Sequence, residues 1–117
     1  MALRAPLASI LLFLLAAVLG ALGQFFYKGG ADAAGGGVLS YLLNLRILLG
    51  VACYCAVMVL FVAAFRRGGS PAVLYPVYAT TFIWAALISL AAFGTPIRAV
   101  NVAGMALVVL GMYCMGL

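Results

Sequence analysis

The sequence predicts an all-α membrane protein in which four transmembrane helices form a compact bundle. Hydrophobic residues make up 70% of the 117 residues and charged residues only 6%, whereas about a quarter of a typical soluble domain is charged. The apolar residues fall into four stretches, each close to the ~20 residues that cross a bilayer core of about 30 Å: Leu7–Tyr27, Ile47–Phe65, Pro71–Phe93 and Ala99–Leu117. We therefore expect residues 1–117 to form a single four-helix transmembrane domain.

Polar side chains at the end of the first span are the first candidate for function. On a helix, Ala17, Gly20, Gln24 and Lys28 fall near one stripe, in which the small residues would leave a groove. A glutamine inside the span must find a partner on another helix or face a wet groove. Lys28 has two interpretations, a ligand-binding cation or an anchor that snorkels to the interface.

The first span also has the features of a signal peptide. Arg4 precedes it, and Ala31-Asp32-Ala33 resembles a small-residue cleavage site. Its apolar part is longer than the ~7–15 residues of a signal h-region. We therefore expect a retained membrane span.

Asp32 is the single acidic residue of the chain. It stands four residues after Lys28, a spacing that would pair the two on a helix. Gly29-Gly30 between them weakens such a helix. The sequence therefore favours a loop position for Asp32, with charge balance of Lys28 as the alternative.

The third span is marked by two prolines. Pro71 suits a first helical turn, and Pro76 inside the span should kink it or free a carbonyl. Tyr75 and Tyr78 flank Pro76 and are predicted to line a cavity, although tyrosines also form interfacial belts. Hydroxyl groups further along the span, on Thr81 and Ser89, would line the same interior.

The fourth span carries a glycine pair, Gly104 and Gly111, seven residues apart on one helix face. Small residues let helix backbones approach closely in lipid. The pair predicts a dimer seam, with packing inside one subunit as the alternative. Since four short helices barely enclose a substrate path, a dimer is expected.

The six basic residues lie near the span ends. Arg4, Arg66 and Arg67 would share one side of the membrane and Lys28, Arg46 and Arg98 the other, so the positive-inside rule sets no orientation. The second group would form a cationic mouth that attracts phosphate. The net charge of +5 suits anionic lipid headgroups and not nucleic acid.

Catalysis is not expected from these spans. The chain has no histidine, its one acid lies outside the apolar stretches, and its cysteines have no usual zinc-ligand spacing. We therefore predict neither an enzyme nor a bound cofactor or metal, and treat the cysteines as packing residues.

Together these motifs resemble the drug/metabolite transporter superfamily, in its four-helix, EamA-like branch related to small multidrug resistance proteins. The proton-coupled exporters of that branch carry a glutamate eight residues before the first-span lysine, where this chain has Gly20. They also carry Tyr-x-x-Trp where this chain has Tyr75-Pro76-Val77-Tyr78. Flippase subunits for undecaprenyl-phosphate aminoarabinose instead have Gly-Gln-x-x-x-Lys and Tyr-Pro, matched by Gly23-Gln24-Phe25-Phe26-Tyr27-Lys28 and Tyr75-Pro76. These flippase subunits commonly have Glu-Pro after the third span, where this chain has Thr95-Pro96.

The resemblance to these subunits implies a flippase that moves an anionic polyprenyl-phosphate-linked sugar between leaflets. It implies a multi-pass protein of the bacterial inner membrane, active in lipid A modification as a homodimer or a heterodimer with a similar subunit. Lys28 would neutralise the phosphate, Gln24 would hydrogen-bond phosphate or sugar, and Tyr75 and Tyr78 would line the passage. Without a carboxylate inside the spans, transport would follow the substrate gradient or be coupled by a partner subunit.

Two alternatives stay open. One is an exporter of small compounds of the small-multidrug-resistance type. The other is a non-transporting subunit of a membrane complex that modifies glycolipids.

Overall fold

The computed structural model describes residues 4–117 and shows helices but no strand in that range. This part of the chain forms six helices: α1 (Leu7–Ala33), α2 (Val38–Leu42), α3 (Leu45–Arg67), α4 (Pro71–Tyr78), α5 (Thr81–Phe93) and α6 (Ala99–Gly116). The third span consists of α4 and α5 together, and α1, α3 and α6 are the other spans. All four are long and apolar enough to cross a membrane. The predicted all-α architecture with four transmembrane helices is confirmed.

The first span is longer than predicted, because α1 continues through Gly29-Gly30 to Ala33. Its 27 residues give about 40 Å at 1.5 Å per residue, which exceeds a bilayer core of about 30 Å. Gly30 packs against Ile47 of α3, and Asn44 Nδ2 donates to the Gly30 carbonyl at 2.9 Å. These contacts outweigh the low helix propensity of glycine.

α3 runs antiparallel to α1 and packs closely against it through glycines on both helices. A Cβ atom at Gly23 would lie 2.7 Å from the ring of Tyr54. A Cβ atom at Gly50 would lie 2.6 Å from the ring of Tyr27 and 3.0 Å from the Gly23 carbonyl oxygen. The absence of side chains at these positions lets the two helices approach, as is common in membrane proteins.

The hydrophobic core lies toward the beginning of α1, away from Lys28. Phe13, Ala64 and Leu74 are fully buried there. The buried hydroxyl of Ser9 lies 2.9 Å from the carbonyl oxygens of Ala64 and Gly68, the two acceptors it can donate to. This end of the α1–α3 pair is therefore held by both apolar packing and a polar contact.

The third span is interrupted, as Pro76 predicts, but the interruption follows Tyr78. The amide groups of Ala79 and Thr80 donate to the carbonyls of Pro76 and Val77, at 3.0 and 3.2 Å. These bonds reach three residues back and so tighten the helix into a 3₁₀-type turn. The Thr80 hydroxyl also donates to the Val77 carbonyl at 3.0 Å, which supports the turn at this place.

The spans form a flattened bundle of 52 × 37 × 18 Å. α1 contacts α3, α4 and α5, whereas α6 packs chiefly against α4. Most of α6 is exposed, and Leu107 on it is 69% exposed. The short helix α2, which the sequence did not predict, is apolar and exposed as well. In a membrane these surfaces face lipid or another chain.

Candidate functional site

A groove of about 590 Å³ opens on one side of the bundle. Its polar lining residues come from four helices or their junctions: Gln24, Tyr54, Tyr75, Tyr78 and Thr81. The rest of the lining is apolar and includes Phe82 and Met115. Tyr75 and Phe82 are 59% and 67% exposed, so the groove opens toward the lipid-facing surface. A mostly apolar groove with a few convergent polar groups suits an amphipathic ligand.

Gln24 has the cross-helix partner that the sequence requires. Its Nε2 donates to the hydroxyl of Tyr54 on α3 at 2.6 Å, although Gln24 itself remains exposed. The amide oxygen of Gln24 stays available to a ligand. The Tyr54 hydroxyl is also within hydrogen-bond reach of the Tyr78 hydroxyl, so the three side chains form one polar cluster at the groove wall.

Tyr54 is the site residue that sequence reasoning missed. Its ring stacks on that of Tyr27, with centroids 5.4 Å apart, and lies against Gly23. A signal was present in the sequence, because Tyr54 lies near the middle of the second span and far from the interfacial belts where tyrosine is common. A polar aromatic group at that depth needs a partner.

The groove predicted along α1 from its small residues is filled in the structure. Ala17 and Gly20 are both buried, and a Cβ atom at Gly20 would overlap the hydroxyl of Tyr78. The Tyr78 ring also packs edge-on against Phe61, with centroids 5.1 Å apart. The small residues of α1 therefore pack against Tyr78, and the open groove, which Tyr78 also lines, lies beside this contact.

Lys28 lines a smaller groove of about 180 Å³ that shares Gln24 with the large one. The hydroxyl-bearing residue Ser89 of α5 lines it too. A ligand could thus contact Lys28 and Gln24 together. One continuous stretch of α1 contributes the cation and the amide.

The loop position predicted for Asp32 is wrong. Asp32 lies inside α1, and its Oδ1 is 2.9 Å from Lys28 Nζ. The two side chains are 58% and 60% exposed, so the pair contributes little to stability. Because α1 continues through Gly29-Gly30, the spacing of four residues brings the opposite charges together.

The three cations predicted to form one mouth do not share one groove. Arg46 lies in the first turn of α3, where its Nη1 donates to the Gly29 carbonyl of α1 at 3.3 Å. It lines a separate cleft next to the Lys28 groove. Arg98 is the N-cap residue of α6 and lines none of these three grooves of residues 4–117.

Gly104 and Gly111 are exposed on α6. Apart from the backbone of their own helix, no atom of the described chain comes within 4 Å of where their Cβ atoms would stand. The alternative of packing within one subunit is therefore not what residues 4–117 adopt. The glycine face is open to lipid or to a second chain.

Comparison with known proteins identifies no relative: no protein-family model, curated protein or solved structure matches this chain.

Proposed function

We propose that this chain is a membrane carrier that moves an anionic, lipid-linked sugar between the leaflets of the bacterial inner membrane. A polyprenyl-phosphate-linked aminoarabinose is the type of substrate that the motifs favour. One observation carries the proposal. Along α1, Lys28 and Gln24 line one small groove, and Gln24 also lines the larger groove, which opens toward lipid beside Tyr54, Tyr75 and Tyr78.

Each part of such a substrate has a matching surface. The ammonium of Lys28 would hold the phosphate as a charge-assisted donor. The Gln24–Tyr54 pair, 2.6 Å apart, would exchange hydrogen bonds with phosphate or sugar oxygens and hydroxyls. The polyprenyl chain would stay in the bilayer, outside the exposed edge formed by Tyr75 and Phe82. The headgroup would then cross without exposing its charge to hydrocarbon.

Export of small cations is less well supported by the geometry. The exporters that this chain resembles carry a glutamate inside the first span, whereas the single acid of this chain pairs with Lys28 at the end of α1. At the position of the exporters' glutamate, Gly20 instead seats the hydroxyl of Tyr78. Proton coupling through a carboxylate is therefore not part of the proposal, and net movement follows the substrate gradient or a partner subunit.

Translocation in vesicles tests the assigned roles directly. We expect Lys28→Ala to slow movement of a fluorescent polyprenyl-phosphate sugar by at least about tenfold, because hydrogen bonds to charged groups contribute ~1.5–3 kcal/mol. Gln24→Ala and Tyr54→Phe should each slow it by about fivefold. The assay measures how much labelled lipid becomes accessible to a membrane-impermeant quencher.

The matched control for this assay is Arg98→Ala, since Arg98 is a cation at the same end that lines none of the three grooves described above. Wild-type rates in both Lys28→Ala and Gln24→Ala would remove the proposed roles. Proton-driven uptake of a cation would favour the exporter. Transport that appears only with a second purified protein would favour the subunit of a larger complex.

Removal of the Asp32 carboxylate should strengthen anion binding. In the structure the Asp32 carboxylate forms an ion pair with the Lys28 ammonium at 2.9 Å. An incoming phosphate would therefore compete with Asp32 for Lys28. We expect Asp32→Asn to raise affinity for a polyprenyl phosphate by about two- to fivefold, the range typical of exposed pairs. Calorimetric titration in detergent measures this, with Asp32→Glu as the charge-preserving control. Equal or weaker binding by Asp32→Asn would show that the pair does not restrain Lys28.

A further inference from the structure

A cleft of about 300 Å³ lies between the end of α1, the start of α3 and the end of α5. Its lining combines one cation with three aromatic rings and two small residues: Arg46, Phe25, Phe26, Phe93, Gly29 and Ala92. Phe25 and Phe93 also line the Lys28 groove, and their ring centroids are 5.7 Å apart. These two rings therefore form the wall between the cleft and the Lys28 groove.

The side chain of Arg46 is held in place from one side. Its Nη1 donates to the Gly29 carbonyl at 3.3 Å, and a Cβ atom at Gly29 would lie 3.4 Å from Arg46 Cδ. Between residues 4 and 117 the guanidinium has no other hydrogen-bond acceptor. Its other N–H groups are available to a ligand.

Charge and depth both favour a phosphate next to Arg46. The single acid of the chain is Asp32, and it pairs with Lys28, so no carboxylate of the described chain compensates Arg46. Because α3 begins at Leu45, Arg46 stands at the end of a membrane span, where phospholipid headgroups lie. Guanidinium groups bind phosphate through paired hydrogen bonds.

We infer that this cleft binds an anionic phospholipid of the surrounding bilayer. Arg46 holds the lipid phosphate, and the rings of Phe25, Phe26 and Phe93 contact the first part of an acyl chain. The site is separate from the Lys28 groove and does not depend on the proposed transport function. Arg46 is then a lipid-binding residue and not part of the substrate path.

Native mass spectrometry of the purified full chain tests the inference. The chain in detergent is titrated with phosphatidylglycerol and, separately, with phosphatidylcholine carrying the same acyl chains. We expect one phosphatidylglycerol per protomer to be retained in preference to phosphatidylcholine. Arg46→Gln should weaken its retention by at least about fivefold, and Arg46→Lys should restore part of it.

Two further variants separate the lipid site from general effects. Ala92→Leu fills the cleft without changing charge and should also weaken retention, whereas Arg98→Gln removes a cation outside the cleft and should not. Circular dichroism establishes that each variant is folded. Wild-type retention in both Arg46→Gln and Ala92→Leu would overturn the inference. So would equal binding of the two lipids, or displacement of the lipid by excess inorganic phosphate.

Discussion

Gly50→Leu is expected to lower the free energy of unfolding by about 1–3 kcal/mol, the usual cost of overpacking a close contact. A Cβ atom at Gly50 would lie 2.6 Å from the ring of Tyr27 and 3.0 Å from the carbonyl oxygen of Gly23. The ring is held by stacking and the carbonyl belongs to a helix backbone, so neither can move aside without separating α1 from α3. Far-UV circular dichroism during unfolding in mixed micelles measures the change.

The same substitution should also weaken the site. Tyr27 stacks on Tyr54 with ring centroids 5.4 Å apart, and Tyr54 accepts the hydrogen bond from Gln24. A displaced Tyr27 would therefore move the groove wall as well as the helix pair. Folded Gly50→Leu protein is expected to bind polyprenyl phosphate more weakly than the wild type.

Gly35→Ala is the control for Gly50→Leu. No atom of residues 4–117, its chain neighbours excepted, lies within 4 Å of a Cβ atom at Gly35, so this variant should unfold like the wild type. An unchanged unfolding midpoint for Gly50→Leu would show that α1 and α3 do not approach as closely as the structure has them.

The number of membrane spans and their approximate extents could be predicted because span length is set by bilayer thickness. The end of α1 could not. Glycine propensity argued for a stop near Gly29-Gly30, but the contacts of Gly30 with Ile47 and Asn44 depend on how α3 packs. The third span is similar: Pro76 indicated an interruption, but the turn follows Tyr78, where the Thr80 hydroxyl donates to the Val77 carbonyl.

The candidate site was predicted in part. Gln24 had to find a partner, because an amide inside a span is costly without one. The identity of that partner depends on the rotation of α3 about its axis, which no stripe on α1 reveals, and so Tyr54 was missed. The packing of Tyr78 against Gly20 was missed for the same reason. The spacing of small residues along one helix shows where another side chain can pack, but it does not show which side chain packs there.

Gly104 and Gly111 of α6 are expected to affect the association of two chains and not the packing inside one chain. Neither Gly104 nor Gly111 is covered by the rest of residues 4–117, and α6 packs chiefly against α4. We propose that a second copy of the chain covers this face, because helices associate in lipid where small residues let backbones approach. The double variant Gly104→Leu/Gly111→Leu should then keep the fold of the monomer while losing the dimer.

Energy transfer between labelled copies in liposomes of increasing lipid content measures the effect on association. We expect the dissociation constant of the double variant to rise by at least about tenfold, which corresponds to ~1.4 kcal/mol. Val102→Leu/Val109→Leu is the matched control. Its two positions are also seven residues apart but lie on another face of α6, so this variant should associate like the wild type. Because no neighbouring atom lies within 4 Å of either Cβ position in residues 4–117, unfolding in dilute micelles should be unchanged. Persistent energy transfer in the glycine variant would place the subunit contact on another helix.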